Sequence, residues 1–96
     1  MTGKEKRYLR SLAVNMHPIT QIGKEGLTDN IIEVILINLE AHELCKISML
    51  ETNPDSLDEI ENKLSLNEIE LVQKIGNQLV LYKLNPKLKE HLLWDF

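Results

Sequence analysis

The chain is poor in cysteine, aromatic residues and long apolar runs, and each shortage excludes a class of protein. One cysteine in 96 residues excludes an internal disulfide and fits a reducing compartment such as the cytoplasm. One tryptophan, two tyrosines and one phenylalanine are too few for a platform that stacks nucleic-acid bases. No apolar run approaches the roughly 20 residues that cross a bilayer, and no apolar signal segment follows the basic start at 4–10. We therefore expect a cytoplasmic protein with no membrane partner.

The residue patterns of common catalytic and metal sites are also missing. His17, His42 and His91 are scattered, without the spacing of a helical metal motif or a paired-cysteine site. Cys45 alternates with apolar neighbours, which is typical of a buried thiol rather than a nucleophile. The segment GKEGLT at 23–28 lacks the residue spacing of a nucleotide-hydrolysing phosphate loop. We therefore expect neither an enzyme nor a metal or cofactor.

Positive charge is in short supply overall but is unevenly distributed. The net charge is −4, the opposite sign to that of a typical nucleic-acid-binding protein. Residues 1–27 nevertheless carry a balance of +3 and residues 71–96 a balance of +2, whereas residues 51–70 carry −6. Because the local field steers a ligand, a polar molecule of this kind can still present one basic side to phosphate.

Hydrophobic spacing and capping residues predict seven elements of secondary structure. In chain order they are a helix over 2–14, a strand over 19–22, a helix over 28–42, a strand over 44–50, a helix over 56–64 and strands over 71–75 and 78–84. Gly76-Asn77 is a two-residue signal for a tight hairpin between the last two strands. Segment 28–42 is rich in β-branched residues, yet it is long for a strand. We interpret it as a helix with its apolar stripe at Leu27, Ile31, Val34, Ile35 and Leu39.

This order of elements predicts an α/β fold. Strand–helix–strand connections favour parallel pairing, and the final hairpin adds an antiparallel strand. We expect a two-layer sandwich in which helices pack on a mixed four-stranded sheet. We expect one domain over 1–96, with a core at about 2–85 and a short tail at 86–96.

Residues 17–28 carry the clearest functional signal. A short apolar strand enters a loop with Gly23 and Gly26, and a helix capped by Thr28 follows at once. Glycines allow a ligand to approach the main chain, and the unpaired amides of a helix N-terminus attract anions. Lys24 would supply charge for phosphate, while Glu25 would repel it. The residues alone leave open two interpretations, a clamp on a nucleic-acid backbone and a strand-to-helix turn that binds nothing.

Four stretches of the sequence together resemble a known family. They are KRYLRSLA at 6–13, HPITQIGKEGLT at 17–28, LEAHELCKI at 39–47 and LVQKIGNQLVLYK at 71–83. Their order and spacing are similar to those of the CRM-domain, or YhbY-like, RNA-binding proteins. The resemblance implies a non-catalytic domain that binds ribosomal RNA in precursors of the large subunit. We expect a monomer whose partner is RNA and not DNA. It also implies the strand order 1-2-4-3, similar to that of the C-terminal domain of translation initiation factor three.

The resemblance also implies the residues of an RNA site. The loop set is Ile22, Gly23, Lys24, Glu25, Gly26, Leu27 and Thr28, and the outlying cations are Lys6, Arg7, Arg10, Lys74 and Lys83. Lys83 stands where the family often has arginine, whose forked side chain binds phosphate in two places. The alternative interpretation is that these charged faces are solvated surfaces with no ligand. Tyr8 and Tyr82 lie in apolar patterns and are expected to pack rather than to stack on bases.

A protein-interaction adaptor is the alternative function. It would dock a partner through the acidic helix at 56–64 or through the apolar tail Leu92–Phe96, and the net charge and Glu25 favour it. The RNA-binding hypothesis predicts that Gly26→Asp leaves the fold nearly intact but weakens RNA binding at least about tenfold, because it adds bulk and negative charge to the loop.

Overall fold

A computed structural model describes residues 1–93 and contains all seven predicted elements in the predicted order. They are α1 (Gly3–Ala13), β1 (Gln21–Ile22), α2 (Asp29–His42), β2 (Leu44–Met49), α3 (Leu57–Leu66), β3 (Glu70–Ile75) and β4 (Gln78–Tyr82). Each helix begins after a hydroxyl cap, because the Thr2, Thr28 and Ser56 side chains accept hydrogen bonds from first-turn amides. None of the helices in the described part of the chain is both long and apolar enough to cross a membrane.

The four strands form one mixed sheet in the order β1-β2-β4-β3, which confirms the predicted fold class. The pair β1–β2 is parallel because α2 connects the two strands. The pairs β2–β4 and β4–β3 are antiparallel, and the turn at Gly76-Asn77 joins the latter two strands. Gly76 has φ of 57°, a left-handed conformation that glycine adopts without steric cost.

Helices cover both faces of the sheet, so the predicted two layers are in fact three. Alternate residues of a strand point to opposite faces. Those on one face pack with α2 and α3 in a cluster that includes Cys45, Ile47, Leu79 and Leu81. Those on the other face pack with Leu9 and Ala13 of α1 in a second cluster that includes Leu44, Val80 and Tyr82. The long connection from α1 to β1 fits either face, which is why the sequence does not decide where α1 lies.

The buried face of α2 differs from the predicted stripe. Ile32, Ile35 and Leu39 are buried, whereas Val34 is 45% exposed and Ile31 is only half-buried. Nearly every position from 31 to 37 is apolar, so helical spacing alone fits more than one rotation about the axis. Packing against the sheet selects one of these rotations.

Glu43 is a buried carboxylate at the junction between α2 and β2. Its side chain accepts hydrogen bonds from the Asn85 amide at 2.8 Å and the Leu92 amide at 3.0 Å, and His91 Nδ1 lies 2.8 Å away. Burial alone would raise the pKa of the Glu43 carboxyl, but these three groups together hold it below its ordinary value. Glu43 therefore fastens the segment after β4 to the body of the protein.

The packed region consequently extends beyond residue 85. Leu92 and Leu93 pack against the α1 cluster. Of the predicted docking tail Leu92–Phe96, these two side chains already have contacts within the protein, and residues 94–96 lie outside the described part of the chain. Cys45 is a fully buried free thiol, as predicted, and burial raises its pKa to about 12.

Candidate nucleic-acid interface

The glycine loop is a tight turn that closes on itself. The Gly26 amide donates a 3.0 Å hydrogen bond to the Gly23 carbonyl, and the two residues form an isolated β-bridge. Lys24 and Glu25 occupy the exposed tip of this glycine turn, defined here as residues 23–26. The turn lies between the end of β1 and the Thr28 cap of α2, so its tip and the first turn of α2 are close in the chain.

The two glycines have different structural roles. Gly26 is buried and has φ of 74°, and a Cβ there would lie 2.5 Å from Asp55 Oδ2. Any side chain at 26 would therefore be strained and would displace Asp55. Gly26→Asp should therefore destabilise the fold as well as change the loop, contrary to the expectation that it leaves the fold nearly intact. A Cβ on Gly23 would meet only Leu50 Cδ1, at an ordinary 3.7 Å.

Leu27 is held from two sides by residues far away in sequence. Its amide donates to Asp55 Oδ2 at 2.9 Å, and its carbonyl accepts from Lys63 Nζ at 3.1 Å. Asp55 is itself positioned by Asn53, which exchanges two hydrogen bonds with the Asp55 main chain. This bracket, comprising Asn53, Asp55 and Lys63, fixes the glycine turn against the β2–α3 connection. No local pattern indicates the contact, since 28 residues separate Leu27 from Asp55.

The bracket reduces the number of amides available to a ligand. Asp55 occupies the Leu27 amide, and the Thr28 hydroxyl accepts from the Ile31 amide at 3.3 Å. The first two residues of α2, Asp29 and Asn30, are exposed, and amides at these positions have no partner within a helix. An anion would therefore contact the tip of the turn and the first two amides of α2, rather than all the amides at the N-terminus of the helix.

The charges around the turn do not form a strongly positive surface. Lys24 and Lys63 lie among the carboxylates of Glu25, Asp29 and Asp55, and Lys63 is engaged with the Leu27 carbonyl. Of these two lysines, Lys24 lies at the exposed tip of the turn. We therefore expect any phosphate contact here to be small in extent and to depend on Lys24.

Three connections, one of which is the glycine turn, lie at the same end of the sheet. The Leu50 amide donates to the Ile22 carbonyl at 2.9 Å, and the Met49 amide donates to the Asn77 carbonyl at 2.6 Å. The glycine turn, the β2–α3 connection and the β3–β4 turn therefore lie side by side. Lys74 belongs to this end, where its ammonium donates to the Gly76 carbonyl at 2.8 Å.

The other predicted cations lie elsewhere. Lys83 follows the opposite end of β4, roughly 17 Å along the strand from Gln78, and its ammonium donates to the Asn67 carbonyl. Lys6, Arg7 and Arg10 lie on α1, which packs on the sheet face opposite to α2. The structure thus brings Lys74 to the end of the sheet that carries the loop set, and it takes Lys83 to the other end.

Several predicted residues also serve the core. The Ile22 and Leu27 side chains are fully buried, so these residues can offer only main-chain groups to a ligand. Tyr82 is buried as predicted, and burial raises the pKa of its hydroxyl. Tyr8 is 38% exposed, so its packing is only partial.

Comparison with known proteins gives a consistent picture. The family model described as the CRS1 / YhbY (CRM) domain matches residues 1–83. A Bacillus subtilis (strain 168) protein named "Probable RNA-binding protein YqeI" is 45% identical over 91 residues, which cover 94% of this chain and 95% of the relative. A Haemophilus influenzae relative named "RNA-binding protein" is 30% identical over 93 residues, covering 96% and 94%. The solution structure of SAV1595 from Staphylococcus aureus has a TM-score of 0.76 and 46% identity, with 94% of each chain covered.

Proposed function

Because the chain belongs to the CRS1/YhbY (CRM) domain family, we propose that it is a non-catalytic RNA-binding protein that engages ribosomal RNA in precursors of the large subunit. Its relatives from two bacteria are named RNA-binding proteins. The observation that carries the proposal for this chain is the glycine turn, which projects Lys24 from the end of β1 directly before the N-terminus of α2. The protein acts in the cytoplasm as a monomer, and its partner is RNA rather than DNA.

The turn would hold the RNA backbone in a simple way. Gly23 has no side chain, so a phosphate can approach the main chain at the base of the turn. Lys24 supplies the positive charge, and the exposed amides of the first turn of α2 supply the favourable end of the helix dipole. Glu25, on the same tip, points to modest affinity, because a carboxylate near phosphate is repulsive.

The negative charge of the remaining surface would orient the complex. Asp58, Glu59 and Glu61 are exposed on α3 and repel a phosphate backbone. RNA would then approach from the side that carries Lys24 and Lys74. Few phosphates are neutralised in this arrangement, and each contributes a slope of roughly 0.7 to the dependence of log affinity on log salt for a single strand. Binding should therefore weaken with salt only gradually.

Sedimentation of cell extract through a density gradient tests this function. We expect the tagged protein to migrate with precursors of the large subunit and to return to the top of the gradient after treatment with ribonuclease. The matched control is the same extract with ribonuclease inhibitor added. A complex with another protein that survives ribonuclease treatment would contradict the proposal. It would favour the adaptor function, for which the acidic face of α3 is exposed.

A further inference from the structure

An apolar groove opens directly beside the glycine turn. It has a volume of about 600 Å³ and lies between the β2–α3 connection and the β3–β4 turn. Met49, Leu50 and Leu57 provide its apolar lining, and Leu50 and Leu57 are 40% and 36% exposed. This volume falls within the range of about 300–1,000 Å³ that is usual for sites that enclose small organic molecules.

The groove is continuous with the glycine turn. Leu50 bridges the two features, because its amide donates to the Ile22 carbonyl and its Cδ1 lies 3.7 Å from the position of a Cβ on Gly23. A nucleic-acid strand whose backbone crosses Gly23 would therefore have its next nucleotide above the groove.

The charges of the groove select which part of a nucleotide can enter it. Glu51 and Asp55 line it against one cation, Lys74, whose ammonium is already bonded to the Gly76 carbonyl. Two carboxylates repel a phosphate, whereas an uncharged base can place its flat ring face against the leucines. The backbone and the bases would thus be sorted onto two neighbouring surfaces.

We infer that this groove receives unpaired bases of the RNA strand whose backbone lies on the glycine turn, so that the substrate is single-stranded RNA. The inference rests on the proposed function and specifies the class of RNA for the same site. In an A-form duplex the bases are stacked and paired, and their apolar faces are out of reach. An unpaired loop, bulge or end can turn its bases outward into the groove.

The experiment compares four proteins on a short unstructured oligoribonucleotide and on its fully paired duplex. Leu50→Ala removes apolar contact from the groove. Leu66→Ala is the matched control, because Leu66 is 84% exposed at the end of α3 and does not line the groove. Lys24→Gln removes the charge at the tip of the turn. Unfolding in urea verifies that each variant is folded.

We expect the wild type to prefer the single strand to the duplex by about tenfold. Leu50→Ala should bind the single strand about five- to tenfold more weakly with an unchanged salt slope, since it removes no charge. Leu66→Ala should bind like the wild type, and Lys24→Gln should lower the salt slope by roughly 0.7.

The four proteins distinguish a failure of the groove inference from a failure of the proposed function. If Leu50→Ala binds like the wild type, or if the wild type prefers the duplex, the groove inference is overturned, while a reduced slope for Lys24→Gln still supports the turn. If the wild type binds neither RNA, the proposed function fails and the groove inference fails with it.

Discussion

Glu43→Ala is expected to lower the free energy of unfolding by about 2–4 kcal/mol, because two half-buried main-chain amides lose the carboxylate that accepts their hydrogen bonds. The amides of Asn85 and Leu92 donate to this carboxylate, and His91 lies against it. Domains of this size are stable by about 5–15 kcal/mol, so the loss is a large part of the total. Urea unfolding followed by circular dichroism measures it. The segment after β4 should also become more sensitive to protease, since its attachment is removed.

Glu43→Gln, which keeps the size of the side chain, isolates the contribution of the charge. The pKa of Glu43 is lowered from its ordinary value of 4.5, so its ionised form stabilises the fold above about that pH. This stability is lost as the pH falls below 4.5 and through the lower pKa of the folded state. The wild type should therefore be more stable than Glu43→Gln at neutral pH, and the difference should shrink as the pH falls through the range in which the Glu43 carboxyl is protonated. A difference that is negligible at neutral pH, or that grows in acid, would contradict the role given to Glu43.

Gly26→Ala is expected to cost about 3 kcal/mol, from a left-handed backbone that disfavours a Cβ and from displacement of Asp55. The added Cβ would lie 2.5 Å from Asp55 Oδ2, and the Leu27 amide would then lose its acceptor. The midpoint of urea unfolding reports the loss.

Gly23→Ala is the matched control within the same turn. Its Cβ meets a methyl group at 3.7 Å, and we expect a cost of less than about 1 kcal/mol. Combining Gly26→Ala with Asp55→Ala tests the mechanism, because the double variant should lose less than the sum of the two single losses. Equal effects of alanine at 23 and at 26, or strictly additive losses, would show that Asp55 does not determine the need for glycine at 26.

The elements of the fold could be predicted because their signals are local. The capping residues Thr2, Thr28 and Ser56 and the Gly76-Asn77 turn fix where elements begin and reverse, independently of the tertiary structure. The rotation of α2 could not be predicted, because its run of apolar residues fits several buried faces. The face chosen by α1 could not be predicted either, since it depends on which side of the sheet is left uncovered.

The candidate site could be predicted only in part, for a related reason. The sequence marks the glycine turn and the start of α2, and both lie where expected. It does not reveal that Asp55 and Lys63 hold Leu27, because these contacts join segments about 30 residues apart. The fold itself therefore requires glycine at position 26, whether or not a ligand binds. The assignment of RNA contacts to individual residues stays a prediction.

A titration of ¹⁵N-labelled protein with an unstructured oligoribonucleotide shows whether the glycine turn holds the RNA backbone, because it reports on the main-chain amides individually. We expect the largest chemical-shift changes at Gly23, Lys24 and Glu25 and at the first turn of α2, with smaller ones at Leu50 and Asn77 along the groove. Changes confined to α1 or to the Lys83 end of β4, with the glycine turn unchanged, would show that RNA binds elsewhere and would contradict the proposed site.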